Sequence, residues 1–378
     1  MNTLDSLRDR LVPWLVDNAY PLWSDRGIDS RTGGFVETLS QNGIAQAEPR
    51  RARVHPRQIY AFAQARIFGW RGDVSGIARR GIDYFTTYYR RQDGLFRALV
   101  DSDGACLDED ALLYNQAFAL LGYAAAAGAL DAGPEFESRA LDLRRVIESR
   151  LRTADGSYLS EEGCCDTRES NPHMHLLEAY LAWAETGQDA GWAAGVRSIV
   201  DLALTRFMRR DIDAIGESYL ATWQPTPGIA GRLIEPGHQF EWAWLLLRCE
   251  RWHSGPLRAA ALRLISVGEE HGVRDGVAVN AMYDNFSVRD GNARLWPQTE
   301  RLKAALLAAT LTGERRYWSM AESAAASWVP YLNTRLPGLW LDVRSSSGEY
   351  ADSPAPASTF YHLVGGILAL THASTHSA

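Results

Sequence analysis

The chain has 378 residues, is 46% hydrophobic and carries a formal net charge of −7 at pH 7. This is enough apolar material for a large core, while the acidic balance and lack of a basic block argue against nucleic acid or anionic membranes as partners. No apolar run approaches the roughly 18 residues of a membrane span, and the N-terminus reads as an acidic amphipathic helix without signal-peptide layout, so a cytoplasmic protein is expected.

In chain order, helical runs over residues 4–19, 74–92, 135–152, 191–209, 255–271 and 315–330 carry charge along one face, which suits helices with one wet side. Between them lie six runs rich in Ala, Leu and aromatics nearly all round, as expected of helices buried on most sides. Each opens on a polar side chain: Arg57, Tyr114, His175, His238, Gln298 and His362, spaced 57 to 64 residues apart. A period above fifty residues marks an internal repeat. Each wet helix is joined to the following buried one by a Gly-, Asp- and aromatic-containing segment, such as TGGFVETLSQNG or DGLFRALVDSDG, which reads as a short hairpin. The four cysteines, Cys106, Cys164, Cys165 and Cys249, form no CxxC and are expected as reduced thiols.

Six helix pairs whose inner members run parallel close into a double ring or open into a superhelix. The dry inner set and the lack of distinct capping repeats favour closure: an all-α (α/α)6 barrel over residues 1–378, with short β-hairpins at the active-site end. Closure gathers the polar first turns at one funnel.

Within RESNPHMHLLEA, Asn171 and His175 are four apart and share a helix face, whereas His173 cannot share it. In EPGHQFEWAW, His238 and Glu241 are three apart, so the carboxylate is expected to orient the imidazole. His362 heads the last inner helix beside Arg57 on the first. An Arg opening an apolar helix needs a ligand or a charged partner such as Glu300 or Glu241. Trp296, Gln298 and Glu300 in LWPQTE, with Tyr114 and Trp340, are expected to supply an aromatic wall and hydrogen bonds. Each feature alone has a structural explanation, but three histidines and an Arg converging on one funnel point to chemistry. No HExxH, CxxC or cluster of three acids suggests a metal, and no Gly-rich phosphate loop follows a strand, so neither metal nor nucleotide cofactor is expected.

The segments RVHPRQIYAFAQA, LYNQAFALLGYA, NPHMHLLEAYLAW, EPGHQFEWAWLL, LWPQTERLKAAL and STFYHLVGGI together resemble the N-acylglucosamine 2-epimerase superfamily over essentially the whole chain, nearest to its mannose isomerase-type members. The resemblance implies the (α/α)6 barrel. It places the family's substrate-contacting Arg on Arg57, its N-x-x-x-H pair on Asn171 and His175, its H-x-x-E pair on His238 and Glu241, and its C-terminal histidine on His362. Asn115 stands where such proteins commonly carry Asp. The implied chemistry is cofactor-free proton abstraction at C2 of an open-chain aldose, through a 1,2-enediolate. His362 and His238 are the expected acid/base pair, Arg57 faces the developing charge, and His175 and Asn171 bind oxygens. Return of the proton to C1 gives mannose–fructose isomerisation, and return to the opposite face of C2 gives 2-epimerisation of an aldose or N-acylhexosamine. A more distant alternative is an inverting glycoside hydrolase using Glu241 and Glu300. Phosphorylated sugars are disfavoured, because only Arg57, Arg53 and Arg294 are in reach of a phosphate. The expected partner is a monosaccharide, and the expected state a monomer or homodimer.

Overall fold

A computed structural model of the chain describes residues 3–164 and 166–374. Twelve helical segments alternate between two rings. The outer ring begins with Thr3–Trp14, which continues through a π-helical turn, Leu15–Ala19, into Tyr20–Arg26. It is completed by Val74–Tyr89, Gly133–Arg150, Gly191–Leu202, Leu257–Gly272 and Arg315–Trp328. The inner ring is Val54–Ala63, Leu113–Ala129, Ser170–Thr186, Pro236–Arg248, Leu295–Thr312 and Ala357–Ser374. Each inner helix packs on the next and the sixth packs on the first, so the ring closes as an (α/α)6 barrel.

The sequence explains these boundaries. Pro134 and Pro236 sit in the first turns of their helices, where a missing N–H is no loss. Asp73 accepts the Gly76 amide at the start of the second outer helix. Gly313 takes φ 71° just past the fifth inner helix, a conformation that admits glycine cheaply. The outer helices bury one stripe. The inner helices are buried almost throughout, including the charged Glu300, Arg301 and Lys303. Cys106, Cys164 and Cys249 are free thiols; Cys165 lies outside the described residues. Among the described residues no helix is long and apolar enough to cross a membrane.

The connecting segments do more than turn back on themselves. Three contain local hairpins: Leu99–Val100 with Cys106–Asp108 in the second, Met208–Arg209 with Ala214–Ile215 in the fourth, and both Val273–Arg274 with Val277–Ala278 and Ala281–Tyr283 with Val288–Asp290 in the fifth. The other strand pairs join neighbouring connections. Arg50–Arg51 pairs with Leu99–Val100, Thr167–Glu169 with Ser218–Leu220, Leu233–Ile234 with Ala281–Tyr283, and Ala293–Arg294 with Val343–Arg344. A single bridge, Leu112 to Glu161, links the second connection to the third, and Thr38–Leu39 pairs with Ala355–Pro356 to join the first to the last. A second ring of backbone hydrogen bonds therefore holds the end where the inner helices begin.

That ring is fastened to the helices by one repeated device. Gln116, Gln239 and Gln298 each occupy the fourth residue of an inner helix. Each grips one loop residue by both its backbone N–H and C=O: Phe96, Ile215 and Ala278 respectively. His173 holds the same position in its helix, with Nε2 accepting from the Tyr158 amide and Nδ1 against the Glu169 carbonyl. Gln298 is thus a fastener of the fold, and not a substrate contact as its place in the first turn suggested. Replacing Gln298 with Ala leaves the buried Ala278 amide and carbonyl without partners, and is expected to lower unfolding free energy by about 2–4 kcal/mol. The urea midpoint reads this directly; a change confined to KM would return Gln298 to the site.

Candidate active site

The first turns of the inner helices surround a cavity of about 220 Å³, lined by Arg57, Tyr114, Asn171, His175, His238, Glu241, Trp296 and His362, with Arg51, Arg53, Glu235, Arg294, Ser358 and Thr359 completing its wall. A larger cavity of about 540 Å³ fills the other end of the barrel. Its walls are mostly apolar, and of the charged groups beneath the first cavity it reaches only Glu178 and Lys303. The convergent polar groups mark the smaller cavity as the site, despite its volume.

Its central feature is three histidines, each held at Nδ1 by a glutamate. His175 Nδ1 lies 3.1 Å from Glu178, one turn along the same helix. His238 Nδ1 lies 2.9 Å from Glu217 on the connecting segment, and His362 Nδ1 lies 2.8 Å from Glu300 on the neighbouring inner helix. With Nδ1 committed, Nε2 is the nitrogen each imidazole has left for a ligand. The carboxylates are themselves anchored. Glu178 also accepts the Tyr361 hydroxyl, Glu217 accepts the Glu235 amide, and Glu300 accepts Lys303 Nζ at 2.7 Å.

The three imidazoles are tuned apart. Burial holds His362 well below the ordinary histidine pKa, and the nearby Arg57 and Lys303 charges push the same way. Burial also lowers His175 to about 4, although the Glu178 hydrogen bond opposes it. At His238 burial again disfavours the charged form, but Glu217 and Glu235 together overcome it and raise the pKa to about 10. Around neutral pH the cavity therefore presents a neutral His362 beside a protonated His238. Divergent pKa values of this kind assign base and acid.

Arg57 has no carboxylate partner among the described residues. Its Nη2 donates to the Tyr114 hydroxyl at 2.5 Å, and its guanidinium lies 4.2 Å from the Phe118 ring centroid and 5.4 Å from that of Tyr361. An ion pair with Glu300 or Glu241, the alternative to a ligand at Arg57, is not formed among the described residues. Trp296 touches both acid/base candidates, its ring 5.2 Å from His238 and 5.5 Å from His362. Gly237 permits this, because a Cβ there would meet the indole at 2.4 Å.

Several expectations need correction. Glu241 does not orient His238. It lines the cavity as a buried side chain, 3.9 Å from His175 Nδ1, with Oε1 lacking a hydrogen-bond partner. Burial and then the nearby Glu300 raise its pKa well above normal, favouring the protonated acid. Glu300 is fully buried with one oxygen on His362 and the other on Lys303, so it positions the histidine instead of touching substrate, and is unavailable as a hydrolase acid. Trp340 is also fully buried, stacked on Trp23 and Phe360 outside the cavity. His55 is buried among Tyr84, Phe85 and Tyr89, away from the funnel. Glu178, Glu217, Lys303 and Tyr361 were missed. His175 and Glu178 have the H-x-x-E spacing that could have revealed them, whereas Glu217 has no sequence signal tying it to His238.

Among the described residues three donor sets, His175–Glu178–Glu241, Glu217–Glu235–His238 and Glu241–Glu300–His362, each bring their ligand atoms within 4.8 Å of one another, close enough to surround a cation. In each the imidazole Nδ1 already faces a carboxylate, and the ammonium of Lys303 lies against Glu300.

Comparison with known proteins agrees with this architecture. "Mannose-6-phosphate isomerase" of Rhizobium meliloti (strain 1021) is 44% identical over 370 residues, covering 95% of each chain. A solved D-mannose isomerase superposes with TM-score 0.85 at 21% identity, covering 94% of this chain and 96% of that one. Cellobiose 2-epimerase of Spirochaeta thermophila superposes with TM-score 0.87 at 22% identity, covering 98% and 97%. Residues 33–366 match the family model of N-acylglucosamine 2-epimerase (GlcNAc 2-epimerase). The chain therefore belongs to the N-acylglucosamine 2-epimerase family and is an isomerase or epimerase acting on carbohydrates.

Proposed function

We propose that the protein is an aldose–ketose isomerase interconverting sugars of the mannose and fructose configuration through a 1,2-enediolate. The observation that carries this reading is the pairing of a neutral His362 with a protonated His238 across one indole, beside an Arg whose charge no carboxylate among the described residues neutralises. His362 removes the C2 proton of the open-chain sugar, and Arg57 stabilises the negative charge that develops on O1. His238, charged at neutral pH, donates protons to the sugar oxygens during ring opening and enediol formation. His175 and Asn171, whose Oδ1 is buried without a partner, bind hydroxyls. The small cavity favours a monosaccharide over a disaccharide. The isomerase name of the 44% identical relative supports aldose–ketose exchange over 2-epimerisation.

The test is proton NMR of the EDTA-treated protein with D-mannose and with D-mannose 6-phosphate in D2O. The ketose labelled with deuterium at C1 is the expected product. The glucose-configured aldose labelled at C2 would replace this reading with 2-epimerisation. Loss of all turnover on chelation would sink the metal-free mechanism.

The pKa assignments predict a broad pH profile. Activity falls on the acid side only well below pH 6.5, where His362 takes up its proton, and on the alkaline side near 10, where His238 loses its own. Glu217→Gln removes one of the two carboxylates that hold His238 charged, so its alkaline limb moves toward neutrality by more than about one pH unit. An unmoved limb in that variant would mean that His238 is not the group titrating there.

A further inference from the structure

The charges on the cavity wall do not balance in the way a neutral sugar requires. Four arginines line it: Arg51, Arg53, Arg57 and Arg294. Arg51 is neutralised by Glu37, which accepts from Nε at 2.8 Å and from Nη2 at 2.6 Å. Arg294 pairs with Asp342 at 3.3 Å. Arg57 is committed to the enediolate in the mechanism above. Arg53 remains. Its guanidinium lies 5.4 Å from the Tyr114 ring centroid, the same ring that Arg57 approaches at 5.6 Å, and among the described residues it has no hydrogen bond and no ion pair. It is partly buried. Burial, reinforced by the like charges of Arg51 and Arg57, holds its pKa below the ordinary arginine value, although Tyr114 and Glu37 act the other way. A partly desolvated guanidinium beside two other cations is unfavourable unless an anion joins it.

We infer that Arg53 forms a subsite for a phosphate monoester at the end of the substrate remote from its carbonyl, so that the sugar is taken as its terminal phosphate. This rests on the isomerase reading for the direction in which the sugar lies, but the anion subsite itself does not. An arginine fork matches phosphate oxygens in geometry and charge. The division of labour is then complete: Arg57 meets the charge that develops during reaction, and Arg53 the charge that the substrate brings with it. A remote contact of this kind raises kcat/KM by fixing the reacting end.

The experiment uses the full-length protein and its Arg53→Gln variant. Turnover of D-mannose and D-mannose 6-phosphate is compared alongside calorimetric binding of D-glucitol and D-glucitol 6-phosphate, which lack the carbonyl and cannot react. The wild-type protein is expected to prefer the phosphorylated member of each pair by about 10-fold or more, as one charged hydrogen-bonding contact provides. Arg53→Gln is expected to remove most of that preference, falling about 10- to 100-fold further on the phosphorylated compounds than on the neutral ones. Equal binding of the two polyols by the wild-type protein, or equal losses on both in the variant, overturns the subsite. If the polyol difference is present and Arg53-dependent while neither sugar turns over, the subsite stands and the isomerase reading fails.

Discussion

Exchange of His362 for Asn is expected to lower kcat about 10³-fold while leaving the barrel folded. General base catalysis by a positioned side chain contributes about 10²–10⁴-fold, and His362 is the best-equipped base in the cavity. Its low pKa keeps it neutral, and its Nδ1–H is committed to Glu300 at 2.8 Å. Asn suits the test because its amide can occupy the Nδ1 position and still donate to Glu300, so the buried carboxylate keeps a partner. What disappears is the ring nitrogen at Nε2. The loss should appear in kcat and equally in exchange of the C2 proton with solvent, which reads the abstraction step alone. A variant retaining more than a tenth of the exchange rate would move the base to His175. Glu300→Gln offers the complementary reading, since Gln can accept from Nδ1 but loses the ion pair with Lys303. A smaller loss, about 10-fold, with an altered acid limb would mark Glu300 as a positioning residue.

The barrel was legible because its signal is long. Six buried helices and six amphipathic ones, each ten residues or more, impose a periodicity that no local turn obscures. The strand ring was not legible. Its members are two or three residues long, too short to show alternation, and their partners lie on neighbouring connections. The same contrast runs through the site. His175, His238, His362, Arg57, Asn171, Tyr114 and Trp296 all reach the cavity, because polar or aromatic groups at the start of a buried helix must face either the lumen or the loop ring. Sequence could not tell those two destinations apart, so Gln298, which faces the ring, was expected beside substrate. Glu241 went astray for a different reason. The H-x-x-E spacing correctly identifies a shared helix face, but His238 finds a nearer carboxylate in Glu217, delivered from the connecting segment. Trp340 fell to the ordinary pull of the hydrophobic effect, stacking on Trp23 and Phe360 in the core.

Arg57→Ala is expected to lower kcat by about 10²–10³-fold with a much smaller change in KM. The enediolate oxygen carries full charge only at and beyond the transition state, so a group that stabilises it contributes to kcat before it contributes to binding. The surroundings of Arg57 keep its charge available: Phe118, Tyr114 and Tyr361 offer ring faces, and no carboxylate among the described residues quenches it. Those same surroundings explain why Arg57→Lys should rescue little. An ammonium placed among aromatic rings, near Arg53 and without a carboxylate, tends to shed its proton, whereas a guanidinium does not. Lysine also lacks the planar fork that lets one nitrogen hold the Tyr114 hydroxyl while another faces substrate. Added guanidinium should restore part of the Arg57→Ala activity and almost none of that lost in His362→Asn, separating missing charge from missing base. If Arg57→Ala raises KM and leaves kcat intact, Arg57 holds the ground-state sugar, and stabilisation of the enediolate must come from the protonated His238.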